Sequence, residues 1–466
     1  MENVTPVVAV LGHVDHGKTT LLDSIRQTNL AQAEVGGITQ GIGAYQAEVS
    51  HEGQKRLITF IDTPGHQAFV KMRSRGVSAA DIAILVVAAS EGVKPQTIES
   101  ISHIKESGIP YIVVLTKSDL PDINTEKVKQ ELAKAGVMLE GLGGNVPCLS
   151  LSAKTGKGLK ELLSLILLVW DLAEKKQQEE LCAVVIESKL DRHRGALATV
   201  VVKSGQINTQ DELFVGATPF KVRAIFNYRG QSLKQVQTGE AVEILGFTKV
   251  PLPGEIIQGK GQEVVKQPAK QAVNSEEFAL SVILKTDNQG SLEAILQLLP
   301  KEILIIEKGS GEVTEGDVLA AKAQKAIIVA FNIKLRSEVV KLAQVEKILI
   351  KEYKIIYQLL EEIKEVVDSI KSGKTSEVVL GQARILAQFP FNKTRVLGIK
   401  VVEGRLAVGD RIKLIRQEAE IGKSKIISMR KIKEEIKVAR EGTECGIVIE
   451  PLLDFELGDM VLSYQI

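Results

Sequence analysis

With 466 residues the chain is roughly three to four times the size of a common domain, so several domains are expected. A hydrophobic fraction of 44%, a charged fraction of 25% and a mean hydropathy of +0.08 exclude a disordered chain. Lys+Arg at 59 against Asp+Glu at 58 excludes coating nucleic acid by bulk charge, and 4% aromatics speak against an extended base-stacking platform. Cys148, Cys182 and Cys445 are far apart and form no Cys-x-x-Cys pair, which suits a reducing cytosol better than a disulfide framework or a zinc site. No basic run at the N-terminus suggests a secretory signal, and the longest apolar run, Leu162 to Trp170, is far short of a bilayer. The expectation is a cytoplasmic, monomeric chain with no membrane contact.

In chain order, Val7–Leu11, Leu57–Ile61, Ile82–Ala88 and Ile112–Thr116 are short apolar runs with polar or helical returns, the pattern of buried parallel strands in a doubly wound sheet over 1–174. Over 181–265 the texture changes to β-branched alternation with Gly and Pro punctuation, in Thr199–Val202, Glu212–Val215 and Ala241–Leu245, which predicts a small β-barrel. The polar stretch 261–277 suits a linker. Residues 276–350 read as a second, smaller α/β domain with strands at Phe278–Leu284, Ile303–Ile306 and Ile327–Phe331. Apolar residues at helical spacing, from Ile355 and Ile356 to Ile370, predict a connecting helix over 353–372, roughly 30 Å long. Residues 376–466 return to β texture and predict a C-terminal β-barrel. The fold class is therefore multidomain α/β and β.

An internal repeat joins the two barrels. Gly205, Ile207, Asp211, Leu213 and Val215 correspond to Gly404, Leu406, Asp410, Ile412 and Leu414; Glu240-Ala241 and Gly254-Glu255 correspond to Glu444-Cys445 and Gly458-Asp459. Either the module is duplicated or two barrels share turn chemistry by chance.

Gly12 to Thr19 fits Gly-x-x-x-x-Gly-Lys-Thr, between a predicted strand and a predicted helix, where a phosphate loop belongs. Asp15, His16, Gly17, Lys18, Thr19 and Thr20 are candidates for nucleotide contact. Backbone N–H groups and the helix N-terminus face phosphate, Lys18 reaches the β- and γ-phosphates, and the Thr19 hydroxyl ligates Mg²⁺. Asp62-Thr63-Pro64-Gly65 supplies a carboxylate for Mg²⁺ and the Gly65 N–H for the γ-phosphate. Thr116-Lys117-Ser118-Asp119 follows a strand. The Asp119 carboxylate can accept from the N1–H and exocyclic amine of guanine, a pair adenine lacks. Ser152-Ala153-Lys154 can offer a backbone N–H to guanine O6. A P-loop GTPase domain binding GTP or GDP follows. Thr116 stands where Asn is usual, a shorter side chain that retains one donor and acceptor.

Between these motifs, Val35-Gly36-Gly37-Ile38-Thr39-Gln40 can close on the nucleotide, with Thr39 on Mg²⁺ and the γ-phosphate, and open on its loss. His66, directly after Asp-Thr-Pro-Gly, is the candidate to orient the attacking water.

These motifs resemble the translational GTPases, whose Gly-His-Val-Asp-His-Gly-Lys-Thr and Asp-Thr-Pro-Gly-His stand here unaltered. The resemblance implies that Val14 and Ile38 gate His66 and that Asp15 helps bind a monovalent cation. Within that group the likeness is to the bacterial initiation factor two family, through Gly36–Gln40, Ile42–Tyr45, Lys285–Ala294, Gly311–Asp317 and Tyr353–Tyr357; it covers nearly the whole chain and starts at the GTPase domain, as in a form without the N-terminal extension of many members. It implies ribosome-stimulated GTP hydrolysis, contact with both ribosomal subunits, and formylmethionyl initiator tRNA held by the final barrel. On this chain that tRNA site falls on Arg430, Lys431, Glu444, Cys445 and Gly446, while Ile399 stands where the family commonly has a cysteine. Two other readings stay open: an aminoacyl-tRNA carrier of the elongation type, for which the 278–350 unit and the long helix would be unexpected, and a guanine-nucleotide scaffold without useful hydrolysis.

Overall fold

The computed structural model describes residues 4–26, 43–51, 53–121, 123–173, 180–259, 280–371, 378–391, 394–416, 419–431 and 434–465. Thr39, Ile38 and the rest of the predicted switch run, and the linker 261–277, lie outside these residues. The chain forms two compact units, 1–363 and 364–466.

In the first unit a six-stranded sheet is built from β1 (Val7–Gly12), β2 (Gly43–His51), β3 (Gln54–Asp62), β4 (Ile82–Ala88), β5 (Tyr111–Thr116) and β6 (Cys148–Ser150), in the order β2-β3-β1-β4-β5-β6. Every residue of β1 and β4 is buried, as strands covered on both faces must be. The helices are α1 (Lys18–Arg26), α2 (Val70–Ala79), α3 (Pro95–Ser107), α4 (Thr125–Lys134) and α5 (Leu159–Leu172). Leu162, Ile166 and Leu167 of α5 complete a core with Val8, Val10, Ile84 and Val114. All four predicted strands are present. Of the two added strands, the short β6 pairs parallel with β5 at one edge and β2 pairs antiparallel with β3 at the other; β2 is the longer. Its alternation of Tyr45 and Val49 with Gln46 and Glu48 buries one face only, so it lacks the continuous apolar run that betrays a central strand.

Within residues 182–258 eight strands form an antiparallel sheet and two more, Gln206–Asn208 and Gln235–Gln237, pair with each other, around one core that includes Ile207, Leu213, Val222 and Ile244. This barrel is tied to the first sheet: Thr59 Oγ1 donates to Gly239 O at 2.6 Å, and Lys203 Nζ meets Asp81 Oδ1 at 2.5 Å. The second α/β domain has four parallel strands in the order Ile303–Ser310, Leu280–Thr286, Ile327–Phe331, Ile350–Tyr353. Its helices are α6 (Gln289–Leu298), α7 (Glu315–Gln324) and α8 (Ser337–Glu346). Asn288 caps α6, and a Thr314–Asp317 capping box starts α7. The connecting helix α9 runs Ile356–Lys371. It starts three residues later than the 353–372 reading because Tyr353 ends a sheet strand, pairing with Phe331. Its buried stripe is Ile356, Leu359, Ile363 and Val367, a helical spacing of three and four.

The second unit closes a six-stranded antiparallel barrel. The ring is Val378–Phe391, Met460–Gln465, Arg411–Arg416, Ala419–Lys431, Glu444–Glu450 and Thr394–Ala407, which returns to pair with the first. Closure leaves the ring without a free edge.

The repeat has matching local geometry in both barrels. Gly205 and Gly404 take φ of 74° and 69°. Asp211 accepts from Asn208 N at 2.7 Å and Asp410 from Ala407 N at 2.7 Å; Glu255 accepts from Leu252 N and Asp459 from Glu456 N, both at 2.8 Å. Identical carboxylate-capped turns at matched positions support duplication over chance.

Candidate functional site

The phosphate loop leaves β1 at Gly12, whose φ is 144° and where a Cβ would lie 2.3 Å from Val86 O, so only glycine fits. Asp15 is exposed with φ 65°, and Gly17 has φ 83°. His16 is fully buried and Lys18 is 7% exposed; Lys18, Thr19 and Thr20 open α1. Lys18 Nζ donates to His13 O at 2.6 Å and Gly12 O at 3.0 Å, curling the loop round its own lysine. Burial lowers the Lys18 pKa, opposed by Asp62, so its ammonium is poorly hydrated.

The Asp-Thr-Pro-Gly-His segment packs against this loop. Thr63 Oγ1 donates to Val10 O at 2.7 Å, and Asp62 is in register with Val10 across β3 and β1. A Cβ on Gly65 would collide with Lys18 Nζ and lie 2.9 Å from Val14 N. The Thr19 hydroxyl and the Asp62 carboxylate are oxygen donors that leave the other positions to phosphate and water, a set that fits Mg²⁺. Among the described residues, no group of three or more His, Cys, Asp or Glu forms a protein-only metal cage.

His66 caps a single 3-10 turn at Gln67–Phe69. Its Nδ1 accepts from Ala68 N at 2.8 Å, so in the neutral ring the proton sits on Nε2, a buried atom with no hydrogen-bond partner among the described residues. The Tyr357 ring, on α9, lies against it with centroids 3.7 Å apart. Burial, with Arg73 nearby, pushes the His66 pKa down to about 4, and burial likewise pushes His16 down to about 4. Both are neutral in the fold near pH 7, whereas an unfolded histidine titrates near 6.5. Between pH 6.5 and 4 the unfolded chain takes up protons that the fold refuses, so stability is full above 6.5 and falls as pH drops. Calorimetry should show Tm falling across that window, and the fall should be shallower in a His16→Asn variant.

The base-facing loops meet at the ends of β5 and β6. Thr116 Oγ1 donates to His16 O at 2.6 Å, so the shorter residue still ties the base loop to the phosphate loop. Lys117 has φ 58° and pairs with Glu91 at 2.8 Å. Ser118 N donates to Leu151 O at 3.2 Å, bringing Asp119 beside Ser152, Ala153 and Lys154. A hydrogen bond from Ser152, helped by Lys154, holds the Asp119 carboxyl below the usual carboxylate range, so it is an acceptor at neutral pH. Ser24 Oγ donates to Ala153 O at 2.8 Å and fixes this loop to α1. Thr116→Val should leave His16 O unpaired in a buried site and weaken GDP binding by roughly 5- to 100-fold, the effect of losing a buried hydrogen bond; Thr116→Asn should bind at least as well as the parent. Equilibrium titration with a fluorescent GDP analogue measures both.

Several contacts around this site had no assignment from the motifs. Gln96 Oε1 accepts from Val14 N at 3.0 Å, and buried Arg73 on α2 touches the Pro64–His66 segment. Tyr357 lies in the run Tyr353–Tyr357 that carries the family likeness, and its ring partner is His66. Gln96 and Tyr357 carry no local signal because each meets a neighbour distant in sequence, and Arg73 reaches carbonyls seven and nine residues back only because α2 folds against its own preceding turn.

In the second unit a cavity of about 590 Å³ opens beside the strand Glu444–Glu450. Arg430, Glu444, Cys445 and Gly446 line it, together with Ile399 and the apolar Phe389 and Val396. Cys445 stands opposite Ile399, and Gly446 stands between Gly398 and Arg430 in the two neighbouring strands. Lys431 is exposed and outside the lining. Burial pushes the Cys445 thiol up to about 11, so it stays neutral. Arg430 pairs with Glu435 at 2.6 Å and Glu444 with Lys400 at 3.2 Å. The pocket thus has an apolar wall and a charged margin.

A phosphate-loop α/β domain joined to a β-barrel defines the class: residues 3–172 match the Elongation factor Tu GTP binding domain and 180–259 match Elongation factor G domain 2. Residues 257–364 match the Translation-initiation factor 2 model. Translation initiation factor IF-2 of Carboxydothermus hydrogenoformans is 40% identical, aligning with 100% of this chain and 60% of its own length. The corresponding factor of Chloroflexus aurantiacus is 39% identical over 99% of this chain and 66% of its own; that of Caldanaerobacter subterraneus subsp. tengcongensis is 39% identical over 98% and 69%. The chain belongs to the translation initiation factor IF-2 family, and spans about 60–66% of the length of the first two of these relatives. Among solved structures, GDP-bound aIF5B from Aeropyrum pernix aligns over 98% of this chain and 92% of that one, with 25% identity and a TM-score of 0.46.

Proposed function

We propose that this chain is an initiation GTPase: it binds GTP with Mg²⁺, promotes formylmethionyl-tRNA binding to the small ribosomal subunit and subunit joining, and hydrolyses GTP when the ribosome engages it. It acts as a monomer in the cytosol. The observation that carries the reading is the convergence of Lys18, Gly65, His66, Thr116 and Asp119 on one phosphate-loop site in a chain whose last barrel holds a separate apolar cavity. Asp119 selects guanine. Lys18 and the Gly65 N–H hold the terminal phosphates. Mg²⁺ on Thr19 and Asp62, joined by Thr39, would neutralise charge on the β- and γ-phosphates. Asp15 is the candidate for a monovalent cation beside them.

His66 is neutral here with its Nε2–H as a donor, so it orients and polarises the attacking water and does not carry a full charge into the site. Its burial against Tyr357 supports a reading in which the ring turns out before it reaches water, with the assembled ribosome supplying that movement.

The cavity beside Cys445 suits the formylated methionine. Its neutral thiol and the apolar faces of Phe389, Val396 and Ile399 accept a thioether side chain, and a formylated amine has no positive charge to strand in an apolar wall. Arg430 at the margin, and Lys431 outside the pocket, are placed for acceptor-end phosphates.

The test is a comparison of initiator tRNA charged with methionine, formylated or free, binding to the full chain in the presence of GTP. At least a tenfold preference for the formylated form is expected, and Cys445→Phe should abolish it by filling the cavity while leaving GDP affinity unchanged. Equal affinities for the two charged tRNAs would remove the assignment of this barrel.

A further inference from the structure

Arg73 is fully buried, and an arginine sealed from water needs partners for its donors. Its Nη1 donates to Pro64 O at 2.8 Å and to His66 O at 2.5 Å. Its Nη2 and Nε donate to Glu99 Oε1 on α3 at 2.5 and 3.1 Å. One planar guanidinium therefore joins the two carbonyls that flank Gly65 to the first turns of another helix.

The same face of α3 reaches the phosphate loop. Gln96, three residues before Glu99, accepts from Val14 N at 3.0 Å. Residues of α3 thus brace both sides of the site, one loop directly and the other through Arg73.

The consequence follows from peptide planarity. Pro64 C=O and Gly65 N–H belong to one trans peptide and point in opposite directions, so anchoring the oxygen aims the N–H. Anchoring His66 O, two peptides further on, fixes the backbone on the far side of the His66 Cα, from which its side chain leaves. We propose that Arg73, held by Glu99, is a positioning residue that aims the Gly65 N–H at the γ-phosphate and sets the stance of His66. This rests on the reading of Gly65 and His66 above.

A lysine at position 73 keeps the charge but cannot span two carbonyls and a carboxylate in one plane. A residue that only filled space and paired charge would, when altered, weaken GDP and GTP binding together or lower stability alone. A residue that aims the Gly65 N–H alters only what depends on the γ-phosphate.

The experiment uses the full chain and the variants Arg73→Lys, Glu99→Gln and His66→Ala. The readouts are Kd for GDP, Kd for a non-hydrolysable GTP analogue, single-turnover GTP hydrolysis with and without ribosomes, and Tm. Arg73→Lys is expected to bind GDP within about twofold of the parent. Its affinity for the GTP analogue should fall roughly tenfold, the scale of one misdirected hydrogen bond to a charged group. Hydrolysis at saturating GTP should fall further, because the stance of His66 is lost as well. Glu99→Gln retains an acceptor oxygen and should shift the same quantities in the same direction by less. Equal losses for GDP and the GTP analogue, or unchanged hydrolysis in a folded Arg73→Lys protein, would overturn the proposal. If His66→Ala hydrolyses normally, the role of His66 fails by itself, while the GTP-to-GDP affinity ratio of Arg73→Lys still reports on the Gly65 N–H. Should Arg73→Lys fail to fold, Glu99→Gln carries the same discrimination.

Discussion

Asp119→Ala is expected to lower GDP and GTP affinity by about 10²- to 10⁴-fold, the range for removing the group that reads a ligand's hydrogen-bonding edge. In the role proposed for it, the carboxylate would accept two hydrogen bonds from guanine, from N1–H and the 2-amine. Ser152 holds it ionised and oriented by donating to it. Ser152 is itself buried and donates nothing to the base through its side chain while so engaged. The sharper version is Asp119→Asn. An amide offers one acceptor and one donor, which mismatches the guanine amine but matches the 2-carbonyl and N1–H of xanthine. Guanine nucleotide binding should fall and xanthosine nucleotide binding should rise. Competition between GDP and XDP against a fluorescent analogue measures the exchange of preference. Retention of guanine preference in the Asn variant would mean that another group reads the base.

His66→Ala is expected to leave GTP affinity within about twofold and to lower ribosome-stimulated turnover by about 10²- to 10³-fold, the usual effect of deleting one positioned donor from a reacting centre. The argument is geometric. In the stored position Nδ1 is taken by Ala68 N–H, which leaves Nε2 as the ring's donor. In the structure that atom is buried, with the Tyr357 ring packed against the imidazole. The ring is therefore stored in a position where it contributes little to phosphate binding, and its removal should be silent in nucleotide titrations. Turnover assays with the factor alone and with assembled ribosomes separate the two effects. A large loss of GTP affinity in the variant would show that His66 contributes to ground-state binding, contrary to its assigned role.

The part of this protein that was legible in sequence is the part governed by local rules. Buried central strands announced themselves as apolar runs, and β4 matched its predicted bounds, Ile82–Ala88. The phosphate loop could be read because glycine positions and a lysine at fixed spacing follow from backbone geometry alone. The turns of the duplicated barrels were readable because an Asp three residues after the N–H it accepts from is a local device. The edge strand β2 and the short strand Ile350–Tyr353 were not, since each exposes one face and takes its pairing from a neighbour.

The candidate nucleotide site divides along the same line. The identities of Lys18, Asp62, His66, Thr116 and Asp119 come from spacing within motifs. What holds them comes from packing: Thr116 on His16 O, Gln96 on Val14 N, Arg73 on Pro64 and His66, Tyr357 against the His66 ring. In the final barrel, Cys445 and Ile399 are far apart along the chain, and strand register alone sets them opposite each other at one cavity. Sequence by itself determined which chemical groups are present and the kind of nucleotide they suit, because those depend on residue type and short-range geometry. Only the tertiary structure decided which groups are buried, which stay neutral and which backbone atoms are clamped, because desolvation and hydrogen-bond satisfaction are properties of surroundings supplied by distant parts of the chain.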